Sequence, residues 1–142
     1  MIRASIVVIV LGLCIVHNDA GFLNPKKWVY LVNNLEHNKN LKVHCKSKDD
    51  DLGYPIVPPK GSFKFTFNSR VFGITLFWCH MWQGPNFKHH QVFEAYNGKY
   101  HMHHQMIWEA REDGIYYSEN RKTYKLKYLW DAPHKLSELS SD

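Results

Sequence analysis

The sequence has 142 residues, of which 44% are hydrophobic and 22% charged, and its formal net charge is +5 with the histidines neutral. A chain of this size is expected to form one domain around one core. The positive charge favours anionic partners, but nucleic acid is not a predicted partner because no block of five or six consecutive basic residues occurs.

The N-terminus has the features of a secretory signal peptide. Arg3 precedes an uncharged, mostly apolar run, Ile6–Val16, which is shorter than the about 20 residues needed to span a bilayer. Polar residues and the small residue Ala20 follow, so we predict cleavage after Ala20. An uncleaved membrane anchor is the alternative. We expect residues 21–142 to form a single secreted, extracellular domain, monomeric and without a membrane span.

The rest of the chain is dominated by period-two alternation of apolar and polar residues, which is typical of half-buried β-strands. One run, Ile74–Cys79, is apolar throughout, and we expect that strand to be covered on both faces. The predicted strands are Trp28–Val32, Leu41–Lys46, Ser62–Phe67, Ile74–Cys79, Val92–Tyr96, Met106–Trp108, Gly114–Tyr117 and Tyr124–Trp130.

Turn-forming residues separate these strands. Asn97-Gly98 predicts a two-residue β-hairpin, and Glu112-Asp113 predicts a second tight turn. Tyr54–Gly61, with three prolines, is expected to be a loop, and the tail from about Ala132 is expected to fray. The predicted fold is all-β, a small antiparallel β-sandwich of about seven or eight short strands with one disulfide. We expect most aromatic rings to lie in its core, with a carbohydrate-binding platform as the alternative.

Three cysteines occur, and Cys14 is removed with the predicted signal peptide. Cys45 and Cys79 remain, and in an oxidising compartment such a pair is expected to form a disulfide. Both fall in predicted strands, so we expect the bridge to join two strands across the core. A reactive thiol is the less favoured alternative, because no Cys-x-x-Cys motif occurs.

Other polar clusters are weighed as candidate sites. On a strand, His101 and His103 would share one face about 6–7 Å apart, a spacing that can hold a metal ion, but exposed, titrating histidines are the preferred interpretation. Asp49-Asp50-Asp51 is expected to be a solvated turn whose carboxylates accept backbone N–H groups. Hydrolase, kinase and nucleotide-binding motifs do not occur. We therefore predict no catalytic residues, no metal site and no cofactor.

Four ordered blocks of this sequence form a distinctive pattern. They are Leu41–Gly53, which includes Val43-His44-Cys45-Lys46-Ser47-Lys48-Asp49-Asp50-Asp51-Leu52-Gly53, then Gly73-Ile74-Thr75-Leu76-Phe77-Trp78-Cys79, Val92-Phe93-Glu94-Ala95-Tyr96 and Arg111-Glu112-Asp113-Gly114-Ile115-Tyr116. With these blocks the sequence resembles the plant self-incompatibility protein family, the small secreted S-protein homologues, from about Trp28 to Trp130.

The resemblance implies a secreted, cysteine-bridged, β-rich protein. It also implies an extracellular ligand that acts through a cell-surface receptor in cell–cell recognition, which for some members of the family is the rejection of self pollen. Many members have a second cysteine pair before the Arg111 block, where Tyr100–Trp108 contains none. The alternative is a secreted defence or effector-like protein that acts on membranes or glycans.

Recognition is expected on loops that leave the ends of the sheets. The two longest candidates are Tyr54–Gly61 and His80–His90. We favour the second loop as the partner-binding site, because it combines aromatic anchors with groups suited to an anionic partner. The residues predicted to bind are Trp82, Phe87, Lys88, His89 and His90.

Overall fold

The computed structural model describes residues 26–69 and 75–133, so the predicted signal peptide and most of the predicted frayed tail lie outside the described residues. The described residues form nine strands and a short 3-10 turn, Pro85–Phe87, which confirms the all-β class. The strands are β1 Lys26–Asn33, β2 Leu41–Lys46, β3 Ile56–Val57, β4 Ser62–Asn68, β5 Leu76–Gln83, β6 His89–Asn97, β7 Gln105–Arg111, β8 Gly114–Ser118 and β9 Lys125–Tyr128.

The strands form two sheets that pack face to face. The first sheet has five strands in the order β4-β1-β7-β8-β9, and the second has four in the order β3-β2-β5-β6. Strand β3 lies inside Tyr54–Gly61, which was predicted to be a loop, and it adds only two residues to the edge of the second sheet. No helix in the described part of the chain is long and apolar enough to cross a membrane.

One strand pairing and one turn differ from the sequence-based prediction. Strands β1 and β7 pair in parallel, with Val29 opposite Met106, so the sandwich is only predominantly antiparallel. The predicted hairpin at Asn97-Gly98 is wrong, because β6 belongs to the four-stranded sheet and β7 to the other. The chain turns at Asn97, whose carbonyl accepts the His101 N–H at 2.9 Å, and then crosses between the sheets.

Aromatic rings from both sheets fill the core, as the alternating pattern predicted. The Phe65 and Phe77 ring centres are 4.8 Å apart, and those of Phe93 and Trp108 are 4.5 Å apart. Trp108 also donates its indole N–H to the Ala95 carbonyl at 3.0 Å, so its single polar atom is satisfied although the side chain is buried. Each of these contacts joins one sheet to the other.

Cys45 and Cys79 form a disulfide between β2 and β5. The two residues lie directly opposite each other in the pairing of these strands, and both side chains are fully buried. The bridge therefore joins neighbouring strands of one sheet rather than strands on opposite sides of the core. Its 34-residue separation still closes a long loop.

Candidate functional site

The outer side of the four-stranded sheet carries a continuous set of rings, and we call it the aromatic face. Alternation along β5 explains its origin: Phe77, Cys79 and Met81 point into the core, while the residues between them are half-buried on the other side. The aromatic face consists of Lys42 and His44 on β2, Tyr54 in the following loop, Trp78, His80 and Trp82 on β5, and His90 on β6.

This arrangement corrects the interpretation of Ile74–Cys79 as a strand covered on both faces. The burial of β5 alternates strictly, so one side of the strand packs in the core and the other is only partly covered. An unbroken apolar run hides this alternation, because tryptophan is as apolar as the core residues beside it. The following residues, His80 and Trp82, continue the outward positions at a spacing of two.

The rings of the aromatic face stack on one another across the strands. The His80 and Trp82 rings are nearly parallel, at 8°, with centres 5.3 Å apart, and the Trp82 and His90 centres are 5.1 Å apart. His44 stacks under Tyr54 at 4.0 Å. Nδ1 of His80 and Nε2 of His90 lie 2.8 Å apart, within hydrogen-bonding distance. These contacts hold the rings in fixed orientations, with His44 buried, Tyr54 exposed and the other rings half-buried.

One lysine is held above this surface. Nζ of Lys42 lies 5.0 Å from the centre of the Trp82 ring and 5.6 Å from those of Tyr54 and Phe87. An ammonium group at these distances is attracted to the negative faces of the rings. The aromatic face therefore presents a positive charge at the centre of an apolar surface.

An open groove of about 690 Å³ borders the aromatic face beside the Asp49–Asp51 turn. Trp78, His80 and Val92 form its floor, and the turn contributes both basic and acidic side chains to its rim. Its walls are thus apolar at the sheet and charged at the turn. A groove with this composition suits a partner that combines an apolar group with polar ones.

The acidic turn is only partly as predicted. Asp51 accepts the Gly53 N–H at 2.9 Å and lies 2.8 Å from Nε2 of His44. These contacts, first the backbone N–H of Gly53 and then His44, lower the pKa of Asp51 below its usual value. Asp50 is not at the solvated rim, since it is 2% exposed and its N–H bonds to Ser47 Oγ at 3.1 Å.

The segment His80–His90 is not a long loop. Strand β5 continues to Gln83 and β6 begins at His89, so only residues 84–88 connect them. The alternation of buried and half-buried side chains continues to Gln83, and antiparallel pairing with β6 extends as far as Gln83 and His89.

The five residues predicted to bind a partner are therefore separated. Trp82 and His90 lie on the aromatic face, and the centre of the Phe87 ring lies 5.6 Å from Lys42 Nζ at its edge. Lys88 is exposed in the turn. His89 contacts Asp131 instead, with Nδ1 2.7 Å from Oδ2. The residues of the aromatic face that the sequence reasoning missed are Lys42, His44, Tyr54, Trp78 and His80, although the period-two spacing of Trp78, His80 and Trp82 was a visible signal.

The histidine cluster is not on a strand, contrary to the geometry considered for it. His101 and His103 lie in the connection between β6 and β7. Nδ1 of His101 accepts the Asn97 N–H at 2.7 Å, and Nε2 of His103 lies 3.1 Å from a Glu119 oxygen. Within residues 26–69 and 75–133, no three histidine, cysteine or acidic side chains are grouped so as to hold a metal ion.

Fold and site together define a small, disulfide-bonded β-sandwich with an exposed aromatic face. Comparison with known proteins shows to which family the chain belongs. The family model described as plant self-incompatibility protein S1 matches residues 28–130. The chain belongs to this family, as the sequence blocks predicted.

Curated relatives agree with that assignment. The chain is 40% identical over 134 residues to S-protein homolog 9 of Arabidopsis thaliana, covering 92% of this chain and 99% of the relative. It is also 40% identical to S-protein homolog 26 of the same plant, covering 99% of this chain and 72% of the relative.

A solved structure of a self-incompatibility protein homologue superposes with a TM-score of 0.62 at 22% identity, covering 77% of this chain and 97% of that one. This likeness confirms the fold. That protein is described as one of a widespread family of small, highly stable, secreted proteins from plants. The extracellular location predicted from the N-terminus agrees with this description.

Proposed function

We propose that this protein is an extracellular ligand that acts without catalysis, by binding a cell-surface receptor protein through the aromatic face, in cell–cell recognition. In this proposal the signal peptide of residues 1–20 is removed and the mature protein is a monomer. Membership of the self-incompatibility family supports the class of function. The observation that carries the proposal is the set of stacked, half-exposed rings with Lys42 above them.

Tryptophan and tyrosine are enriched at protein interfaces because each buries a large area while losing little conformational freedom. Trp82 has this role at the centre of the aromatic face, with its orientation already held by His80 and His90. A ring that is ordered before binding costs less conformational entropy when the partner arrives. Trp82 is accordingly the expected binding hot spot.

Charge supports an acidic partner. The chain carries a net charge of +5, and Lys42 Nζ lies over the Trp82 ring, with no ion pair to a carboxylate of residues 26–69 or 75–133. Lys46 is exposed on the same side of the sheet, at the position opposite Trp78. Positive charge at an interface increases the rate of association with an acidic surface and reduces binding to basic ones.

The test is binding of the labelled mature protein to intact plant cells. We expect saturable binding that falls at least about tenfold for a Trp82→Ala, Lys42→Glu variant, because truncating an aromatic hot-spot residue costs about 2 kcal/mol or more. The matched control is Trp28→Ala, Lys26→Glu, which changes a similar lysine–tryptophan pair on β1, with Nζ 6.0 Å from the ring centre.

Native-like binding by the folded Trp82→Ala, Lys42→Glu variant would refute the assignment of the aromatic face. Protease treatment of the cells separates the two classes of partner. Loss of binding after protease supports a receptor protein, whereas retention after protease and loss after glycan digestion would overturn the receptor in favour of a glycan. Leakage of protein-free vesicles would instead favour action on membranes.

A further inference from the structure

Two histidines of the aromatic face are in direct contact, and this contact limits how many protons they can hold. Nδ1 of His80 lies 2.8 Å from Nε2 of His90. The ring centres are 5.0 Å apart and the ring planes are inclined by 19°, so the rings lie edge to edge. His90 lies opposite Trp82, two residues along β5 from His80, so strand register places this diagonal pair on one face of the sheet.

The contact requires one hydrogen-bond donor and one acceptor. A neutral imidazole has one N–H and one bare nitrogen, so a neutral pair and a pair with one extra proton both meet this requirement. When both rings are charged, every ring nitrogen carries a hydrogen, and two N–H groups would face each other across 2.8 Å. The second extra proton therefore cannot bind unless the rings of His80 and His90 move apart.

The orientation of Trp82 depends on both members of the pair. Its ring is nearly parallel to that of His80, at 8° and a centre distance of 5.3 Å, and its centre is 5.1 Å from that of His90. All three side chains are half-buried, so each has an exposed side into which its ring can rotate. Separation of the histidines thus removes the support of the central tryptophan of the aromatic face.

Charged groups of β2 and its following turn approach the pair from one side. His44 lies opposite His80, with ring centres 5.8 Å apart. Lys42 and Lys46 lie on either side of His44 on the same face of the strand. Asp51 lies 2.8 Å from Nε2 of His44, so its carboxylate is directed to that ring.

On the other side, two carboxylates near the pair make contacts of their own. Asp131 accepts the backbone N–H of His90 at 2.9 Å and contacts the His89 ring, and Glu94 accepts the Tyr100 hydroxyl. Further charged side chains belong to the adjoining turns: Lys48, Asp49, Asp50 and Lys88. All these charges influence the pH at which the second proton binds, whereas the limit of one extra proton follows from the contact itself.

We propose that this histidine pair makes the aromatic face sensitive to pH. While the pair holds at most one extra proton, the rings stay in contact and Trp82 is held ready for binding. The second proton separates the rings and weakens binding of the receptor protein, because ordering one freed side chain costs about twofold to tenfold in affinity. This regulation rests on the proposed function, whereas the separation of the rings is a property of the protein alone.

The first experiment is an NMR titration of the mature protein alone, from about pH 8 to about pH 4, a range that brackets histidine protonation. It follows the ring protons of each histidine and the indole N–H of Trp82. We expect His80 and His90 to share two protonation steps at least about one pH unit apart, because coupled groups titrate as a pair. The Trp82 signal should shift with the second step. A single common midpoint for the two rings, or a Trp82 signal that ignores the second step, would overturn the proposal.

His90→Gln provides the decisive variant. An amide side chain offers an N–H to a neutral His80 and a carbonyl oxygen to a charged one, so no protonation state forces the two side chains apart. His80 should then titrate in one step, and the second shift of the Trp82 signal should disappear. The matched control is His89→Gln, which removes the neighbouring histidine that contacts Asp131 and leaves the pair in place. Loss of the second step in His89→Gln as well would contradict its assignment to the pair.

Binding to intact plant cells then tests the regulation, with the pH response of the receptor common to all three proteins. Below the second step, native protein and His89→Gln should lose at least about twofold in affinity, and His90→Gln should lose less. Added positive charge acting alone would instead strengthen binding to an acidic partner, so equal or higher affinity in acid would overturn the regulation. Native-like binding by Trp82→Ala, Lys42→Glu would refute the proposed function, whereas a single titration step would refute the pair, so the two failures are distinguishable.

Discussion

Removing the Cys45–Cys79 disulfide is expected to lower the free energy of unfolding by about 3–4 kcal/mol. The bridge closes a loop with a sequence separation of 34 residues. For that length, the chain-entropy relation gives about 3.8 kcal/mol at 25 °C, because the cross-link restricts the unfolded chain. Domains of this size have total stabilities of roughly 5–15 kcal/mol, so the loss is a large fraction of the whole.

The assay is urea unfolding of the native protein and of a Cys45→Ala, Cys79→Ala variant, followed by tryptophan fluorescence. The variant should also show a larger denaturant dependence, because its unfolded state exposes more surface. The melting temperature should fall by roughly 10–20 °C. Native protein reduced with dithiothreitol is the control for packing, since it keeps both sulfur atoms in the core.

A loss below about 1 kcal/mol in both the variant and the reduced protein would refute this reasoning. It would mean that pairing of β2 with β5 already restricts the unfolded chain, or that the bridge strains the folded sheet. A large loss in the alanine variant alone would assign the stability to packing of the buried sulfur atoms rather than to the cross-link.

Two further predictions concern other parts of the sandwich. Gly114→Ala should destabilise the protein by about 1–3 kcal/mol in urea unfolding, because the added Cβ would lie 2.5 Å from the Tyr128 carbonyl oxygen in the adjacent strand. Gly53→Ala is its control, because a Cβ added at Gly53 would have no heavy atom within 4 Å apart from its chain neighbours, and only the positive φ of 80° opposes the change. Equal losses of stability in the two variants would contradict the steric argument. The pKa of Asp131 is lowered by the backbone N–H of His90 and then by His89, so its contribution to stability should be complete above the unfolded value of about 3.9 and disappear as pH falls through the lower folded value. The difference in stability between native protein and Asp131→Asn should therefore shrink toward low pH, and a difference that does not change with pH would contradict it.

Local sequence determined a large part of this structure. The alternation of Phe63, Phe65 and Phe67 with polar residues predicted β4, and Glu112-Asp113 predicted the turn between β7 and β8. With Cys14 assigned to the signal peptide, Cys45 and Cys79 had only each other as partners. These features depend on neighbouring residues or on simple counting, so they are readable without knowledge of the fold.

Tertiary structure decided which strands are neighbours. Asn97-Gly98 has the composition of a hairpin turn, yet β7 pairs with β8 and with β1, in which Val29 lies opposite Met106, 77 residues later in the chain. Local turn preferences contribute only a little free energy, whereas burying β7 between β1 and β8 satisfies its backbone and packs Trp108 into the core.

The aromatic face likewise could not be predicted from local sequence alone. Period two assigned Trp78, His80 and Trp82 to one side of a strand, but that side is exposed only because the five-stranded sheet covers the other. Lys42 and His90 join these rings through strand register, which no local pattern specifies. Tyr54 joins them from the loop after β2. The residues of the site were present in the sequence, and the pairing of distant strands brought them together.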